Sequence, residues 1–485
     1  MPKFVLLWTD VVVYLLLIGL VWYVWHLRGN PNLAANWKRV FQNKPALCSS
    51  VVLLFCLAVT ALDSVHYRPL LSQAGTESAG ATKAAAYDTR TLSLLDTMFS
   101  RLIETRESSY SVPLAYMGFT KESVTNDGVV TRAHPRLAHG GSHLKDPENE
   151  WARDVFKRIG AGLLLGAAAA AALAALLAAA VAKSQNCSWA EAAGRIARAD
   201  TDLPWRAALI TVAVMCLLIG AVAMLLPYYH VLGTDRTGND VLFQALKSIR
   251  TAFVIGTLST IATLPLAVGL GIMAGYFKGW VDEVIQYAYT MLSSVPNVLL
   301  IAACVLMVQV FFDKNPQLFE TGAERSDLRL FILCVILGLT GWAGLCRLLR
   351  AETLKLRELE YVQAANAFGV SHWRIMARHI FPNVVHLMLI TTVLDFCGLI
   401  LYEAVLSYVG VGVDPSMNSF GGMINLARSE MSRDPVVWWS FASAFTFMVA
   451  LVLAANLFSD GVQDAFDPRA RVFRPRLSLK KRTAA

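Results

Sequence analysis

The sequence predicts an all-α polytopic membrane protein, and three observations predict it. Of the 485 residues, 56% are hydrophobic and only 16% charged, where soluble domains run at about one quarter charged. Apolar runs of about 20 residues, enough to cross a ~30 Å hydrocarbon core, recur along the chain. The segments between those runs alternate between basic and acidic.

The expected spans are 4–25, 48–65, 159–181, 207–226, 251–274, 284–312, 328–348, 384–411 and 438–458, nine in all. The first has no small-residue cleavage site of the usual kind, so it reads as a retained span and not a signal peptide. The third is mostly alanine, which gains little from burial in lipid. Pro265 and Pro296 fall inside the fifth and sixth. Proline in a membrane helix marks a kink, which can serve gating but is more often static.

The net charge of +8 raises the question of nucleic acid, and its distribution argues against it. Segment 26–47 carries Arg28, Lys38, Arg39 and Lys44 and no acid. Residues 347–379 hold six bases against three acids, whereas 313–327 holds four acids and two bases. In 412–437, Arg428 and Arg433 face Asp414, Glu430 and Asp434. The tail after Asp467 is purely basic, from Arg469 to Arg482. This alternation is the positive-inside pattern. It assigns 26–47, 347–379 and the C-terminus to the cytoplasm, and the N-terminus and 66–158 to the outside. Arg153, Lys157 and Arg158 run against it, just before the third span, although long loops obey the rule weakly.

The chain divides accordingly into N-terminal spans (1–66), an external insertion (67–158), additional spans (159–226), a denser core (227–470) with a cytoplasmic loop at 350–383, and a basic cytoplasmic tail (471–485). Within the insertion, Leu92, Leu94, Leu95, Met98, Phe99 and Leu102 recur near helical spacing, which predicts a helix over 89–107 packed on the outer face or on an external partner. His134, His139 and His143 could suggest a metal site. The loop itself holds no carboxylate or cysteine to complete a ligand set, so it reads as a solvated Gly/Pro loop. Seven of the eight cysteines lie in or beside spans, with no Cys-x-x-Cys, so no disulfide framework and no metal are expected.

The most informative stretch is Glu360-Tyr-Val-Gln-Ala-Ala-Asn-Ala-Phe-Gly-Val-Ser-His-Trp-Arg-Ile-Met-Ala-Arg-His-Ile-Phe-Pro-Asn383. It reads as helix, break, helix, stop. Gly369 can take the left-handed conformation that ends a helix, and Ser371 can cap the next. Pro382 then stops that helix or bends the chain into the membrane. Such a hairpin is a lever for another protein to push, although Arg374 and Arg378 would also suit a hairpin lying on lipid. Nothing in the sequence supplies energy: no phosphate-binding loop, dinucleotide motif, nucleophile elbow or zinc helix is present, and no catalytic residue is expected.

Gln363-Ala364-Ala365, then Gly369, then His379-Ile-Phe-Pro382-Asn383 resembles the cytoplasmic loop of ABC-importer permeases, in the version of the dipeptide/oligopeptide/nickel permease family. Other segments match in order: His230-Val-Leu-Gly-Thr-Asp-Arg-Thr-Gly-Asn-Asp240, Gly275-Tyr-Phe-Lys-Gly-Trp-Val-Asp282, Leu339-Thr-Gly-Trp342, Glu403-Ala-Val-Leu-Ser-Tyr-Val-Gly-Val-Gly412 and Ser459-Asp-Gly-Val-Gln-Asp-Ala-Phe-Asp-Pro-Arg469. The resemblance covers about 225–470. It implies a type I permease core in a bacterial inner membrane, paired with a second permease, two cytoplasmic ATPase subunits and an external solute-binding protein. ATP would be bound by those partners, with no cofactor in this chain. Glu360, Gln363, Ala364, Ala365, Gly369 and Pro382 would form the ATPase-coupling loop, with the apolar face of Val362, Ala365 and Phe368 against the partner. The implied cargo is di- or oligopeptides, with nickel or another small solute as the alternative. Two positions depart from the pattern: Gln363 stands for the family's Glu, and Asn239 for its usual Arg.

Charged groups inside spans are costly and so count as candidates. Asp395 and Glu403, eight residues apart on the eighth span, could line a cavity, with Asp395 meeting a peptide's ammonium. Equally, a neighbouring helix could satisfy them. Thr237-Gly-Asn-Asp240 has the spacing of a helix-capping box, with Asp in the place of Glu or Gln. A gradient-driven carrier, the reading from another class, would need paired inverted repeats, and none is apparent.

Overall fold

A computed structural model of the chain describes residues 3–70, 87–88, 90–126 and 129–466. The basic tail from Arg469 onward lies outside the described residues. In chain order the elements are β1 (Lys3–Val5), α1 (Trp8–Gly29), α2 (Pro31–Gln42), α3 (Lys44–Asp63), β2 (His66–Arg68), β3 (Leu92–Ser93), α4 (Leu94–Met98), α5 (Ser100–Glu104), β4 (Glu122–Asn126), β5 (Val129–Ala133), α6 (Pro147–Gln185), α7 (Trp189–Ala197) and α8 (Trp205–Leu225). The core follows with α9 (Val241–Phe277), α10 (Gly279–Ser294), α11 (Asn297–Lys314), α12 (Gly322–Gly341), α13 (Ala343–Arg357), α14 (Glu360–Ala367), α15 (His372–Ile375), α16 (Phe381–Tyr408), α17 (Phe420–Glu430) and α18 (Trp439–Phe466). Among the described residues, nine helical stretches are long and apolar enough to span a membrane. The all-α polytopic expectation holds.

Helix α9 is the central post of the core. Its 37 residues rise about 55 Å at ~1.5 Å each, more than the hydrocarbon thickness. Val254, Ile255 and Leu258 on one stretch pack against Leu330, Leu333 and Leu337 of α12. Ile272 and Ala274 farther along pack with Leu345 and Leu349 of α13. Pro265 lies inside α9, which continues through it. Pro296 behaves differently. It separates α10 from α11, so the run 284–312 forms two helices and not one span. A proline has no amide to continue the ladder and restricts the residue before it to extended backbone, as Val295 is (ψ 133°).

Loops that the charge pattern assigns to one side meet one another. On the inner side, Lys38 pairs with Asp202 at 2.7 Å and Lys278 with Glu358 at 2.9 Å. On the outer side, β1 pairs antiparallel with β2, and Arg68 meets Glu324 at 2.8 Å. The exceptional Arg153, Lys157 and Arg158 have a geometric explanation. Helix α6 begins at Pro147, well before the expected 159, and its 39 residues extend beyond the membrane. Arg158 pairs there with Asp154 at 2.7 Å and stacks on Tyr228. The boundary drawn at 158 therefore falls inside a helix. The alanine-rich α6 is secured by close approach to α8: a Cβ at Gly162 would sit 2.5 Å from the Gly220 carbonyl, and Gly166 is equally confined by Cys216. Small residues at such spacing let membrane helices pack backbone to backbone.

The N-terminal spans dock on the core through buried charge. Arg250 of α9 is 4% exposed and meets Asp10 of α1 at 2.6 Å and Asp327 of α12 at 3.9 Å. Lys247, one turn earlier, meets Asp96 of α4 at 2.6 Å and Asp63 of α3 at 3.6 Å. At the inner end, Val40 and Ala46 pack with Val462 and Ala465 of α18.

The insertion is more structured than the sequence suggests. The expected helix over 89–107 is a short strand followed by two single-turn helices, broken at Phe99. The break follows a cap that starts α4 late: Ser93 and Asp96 exchange side-chain to backbone bonds of 3.1 and 2.9 Å. Leu95 and Leu102 are buried, so this stretch packs against the rest of the chain. The histidine loop is not merely solvated. The Glu107 carboxylate accepts the amides of Ala138, His139 and Gly140 at 2.8–2.9 Å. Glu107 also lies 3.6 Å from His230, whose Nδ1 is 2.8 Å from Asp240. Asp240 in turn caps α9 by accepting the Phe243 amide at 3.0 Å. The cap of α9 is thus Asp240 alone, and Thr237 instead bonds Asp235. His134 and His143 find separate partners, in the Gly118 carbonyl and Asp154.

Candidate coupling site

The loop after α13 is built to hold its shape. Leu359 is extended and redirects the chain, and α14 starts with Glu360 exposed in its first turn, where the helix dipole favours an acid. Helix α14 ends in a Schellman turn. Gly369 has φ +75°, its amide bonds the Asn366 carbonyl at 3.0 Å, and Val370 bonds Ala365 at 3.1 Å. Gly369 takes the left-handed, helix-ending conformation expected of it. Ser371 takes the cap position of α15, but its side chain makes no capping bond.

Pro382 does not stop the second helix. Helix α15 passes into a π turn at Met376–Ile380, in which the Phe381 amide bonds back to Met376, and α16 continues for 28 residues. The proline sits in the first turn of α16, where a missing amide is tolerated. The loop's second arm and a membrane-spanning helix are therefore one continuous rod. Asn383 joins the arms: its amide donates to the His379 carbonyl at 2.6 Å and to the Tyr361 hydroxyl at 3.2 Å.

The base of the loop is fastened to the inner end of α9. Arg357 donates to the Tyr276 carbonyl at 2.7 Å, and the Tyr276 hydroxyl lies 2.8 Å from His372 Nδ1. Lys278 holds Glu358, keeping that carboxyl below its usual range through the hydrogen bond and charge it supplies. Between these groups lies a cleft of about 340 Å³, with Tyr276, Glu358, Gln363 and Asn366 in its walls. The Gln363 amide donates to the Glu358 carbonyl at 3.2 Å. A glutamate at this position could not donate that bond, so the departure at 363 fastens the loop to itself.

The predicted partner face is only partly right. Val362 is 2% exposed and packs inward with Tyr276, Ile375 and Ile380, while Ala365 is half-buried on the same cluster. Ala364 is exposed. Phe368 is 87% exposed, and Trp373 and Tyr361 are exposed beside it in the loop. The outward apolar groups are thus Phe368 and Trp373, and Val362 anchors the loop from within.

Asp395 and Glu403 are not brought together. Glu403 is 2% exposed and accepts the Ser407 hydroxyl at 2.6 Å, so it is a buried group held within its own helix. Asp395 is exposed on α16, with no hydrogen bond or ion pair among the described residues. Sequence reasoning missed the acids around Arg250, although charges placed within or beside expected spans were the available signal.

Residues 267–472 match the family described as "Binding-protein-dependent transport system inner membrane component". The oligopeptide transport system permease protein OppC of Mycobacterium tuberculosis (strain H37Rv) is 31% identical over 245 residues, covering 50% of this chain and 78% of the relative. The chain belongs to this permease family. Similar figures hold for the glutathione transport system permease protein GsiD of Pectobacterium atrosepticum, 31% over 242 residues, with 50% and 73% covered. The dipeptide transport system permease protein DppC of Lactococcus lactis is 30% identical over 243 residues, with 50% and 64% covered. This chain is accordingly a multi-pass permease subunit of an ABC importer in a bacterial inner membrane, working with other subunits. Its relatives are named as permease proteins of transport systems.

Proposed function

We propose that this permease forms half of a path for di- or oligopeptides and is driven through its 360–382 loop by ATPases that bind ATP in its place. The observation that carries the reading is the loop's mechanical form. Its tip exposes Phe368 and Trp373, its arms are cross-linked by Asn383, and its second arm runs unbroken into α16. A force on the tip therefore displaces a membrane helix directly. The relatives' names, which include oligopeptide, dipeptide and glutathione transport, favour peptides over nickel.

The complete assembly would contain a second, related permease, two cytoplasmic ATPases and an external solute-binding protein. Asp395 supports the pairing: an exposed carboxylate within an apolar helix is costly against lipid, so this face is best covered by protein or by a water-filled path. The experiment is ATP-driven uptake of a labelled tripeptide into proteoliposomes holding the assembly. The reading expects uptake that requires ATP and the external protein. Nickel uptake without peptide uptake would replace it with the small-solute alternative.

A further inference from the structure

Between α10 and α11 the backbone of a membrane span stands open. Val295 is extended, and Pro296 begins α11 without a side-chain cap. Having no amide, Pro296 leaves the Leu292 carbonyl without its ladder partner, and the carbonyls of Ser293 and Ser294 end the helix beside it. The Ser294 hydroxyl is turned back onto the Met291 carbonyl at 2.7 Å. Across the break, the amides of Leu299 and Leu300 share the Pro296 carbonyl, while those of Asn297 and Val298 have no backbone acceptor. Residues 293–297 are all exposed, and the side chains of Ser293 and Asn297 make no hydrogen bond among the described residues.

Two arginines mark the depth of this break, since a guanidinium in a span keeps to its ends. On the inner side Arg347 lies 5.7 Å from the centre of the Tyr289 ring, and on the outer side Arg329 binds Gln309 at 3.1 Å. Tyr289 to Val295 is about 9 Å of helix and Asn297 to Gln309 about 18 Å, at ~1.5 Å per residue. Together these stretches nearly fill the ~30 Å hydrocarbon core, so the break lies about a third of the way across from the inner side. Open backbone at that depth is tolerated only inside protein or against water. Farther along α11 the surface changes character: Leu306, Met307, Val310 and Phe311 are exposed and apolar, as contact with lipid requires.

We propose that residues 293–297 face the water-filled path, and that a passing peptide hydrogen-bonds to this break through its own backbone. A dry contact would need a partner group set against every open amide and carbonyl. Water meets them without such a match, and so does an extended peptide, which carries one donor and one acceptor on nearly every residue. Contacts of this kind ignore side chains, so one path accepts peptides of different sequence. The inference rests on the peptide reading above.

The test is thiol labelling of the full assembly in nanodiscs with a membrane-impermeant, cationic methanethiosulfonate, read site by site by mass spectrometry. Ser293→Cys and Asn297→Cys are expected to react at least about tenfold faster than Met307→Cys, whose thiol would sit on the apolar stripe. With ATP and the external binding protein present, trialanine should slow labelling at 293 and 297 several-fold. All three positions are exposed, so the melting temperatures should match the wild type. Pro296→Ala is a second probe: it returns an amide to the ladder, and trialanine uptake should fall several-fold with the ATPases still bound. Labelling no faster than at 307 would overturn the water-facing break. Fast labelling that trialanine leaves unchanged, or full uptake by Pro296→Ala, would overturn the peptide contact. Fast labelling in an assembly whose wild type takes up no peptide would sink the functional reading and leave the water-facing break standing.

Discussion

Tyr361 on the first arm of the inner loop accepts a 3.2 Å hydrogen bond from Asn383 on the second. The bond spans the loop where a push from outside would otherwise splay it. Tyr361→Phe removes the acceptor, while Asn383 keeps its 2.6 Å bond to the His379 carbonyl. The local cost is about 1 kcal/mol. Binding of the ATPases should survive, and peptide-stimulated ATP hydrolysis should fall several-fold. Unchanged stimulation would mean that the two arms need no tie.

The Glu107–His230 contact makes the outer side sensitive to pH. Burial alone would lower the His230 pKa, but its hydrogen bonds to Asp240 and Glu107 and their charges outweigh that and raise it to about 9. Burial likewise opposes Glu107, whose bonds to His230 and to the amides of Gly140, His139 and Ala138 bring it down to about 2. The raised histidine gives stability that is fully present below its unfolded value near 6.5 and is lost as pH rises through about 9. The depressed glutamate gives stability that is present above about 4.5 and is lost as pH falls through about 2. The thermal stability of the wild type should therefore fall as pH rises from 7 to about 10. Glu107→Gln should cost on the order of 2–4 kcal/mol at neutral pH and move that alkaline loss to lower pH. An unshifted alkaline limb would rule out the pairing.

The limits of sequence reading follow from these two sites. The spans were legible because about 20 apolar residues leave few alternatives in length or composition. Gly369 was legible too, since a left-handed turn has a residue preference that does not depend on distant contacts. Val362 was not, because an eight-residue helix offers two apolar faces and only the position of Tyr276 and Ile380 decides which turns inward. Of the two outcomes expected of Pro382, stopping the second helix or carrying the chain into the membrane, only the first fails, because the proline falls in the first turn of α16, where its missing amide is tolerated. Glu107 lies in the insertion, far along the chain from the 230–240 segment that carries His230 and Asp240, and no local pattern announces their meeting.

Gly162 and Gly220 set the spacing of the α6–α8 hairpin. Gly162→Leu places a side chain against a backbone carbonyl that has no room to yield. The expected cost is roughly 2–4 kcal/mol, at the upper range of overpacking. Hydrogen exchange should rise across 147–225, with the core from α9 onward unaffected. Exchange that stays at wild-type levels would place the hairpin's stability elsewhere.

The two-sided clustering of loops predicts a definite topology. Reporter fusions at residues 40 and 190 should read as cytoplasmic, and fusions at 120 and 320 as periplasmic. A cytoplasmic reading at 120 would invert the assignment of the insertion and remove it from any contact with an external protein.

The central claim is that the 360–382 loop is where the ATPases take hold. Phe368 touches solvent over 87% of its surface, so Phe368→Asp disturbs almost nothing inside this chain. The decisive measurement is co-purification of the ATPase subunits with the wild-type and Phe368→Asp permeases, read alongside the melting temperature of each. The account predicts an unchanged melting temperature together with loss of the ATPases and of ATP-driven uptake. A variant that keeps its ATPases and transports at the wild-type rate would contradict it.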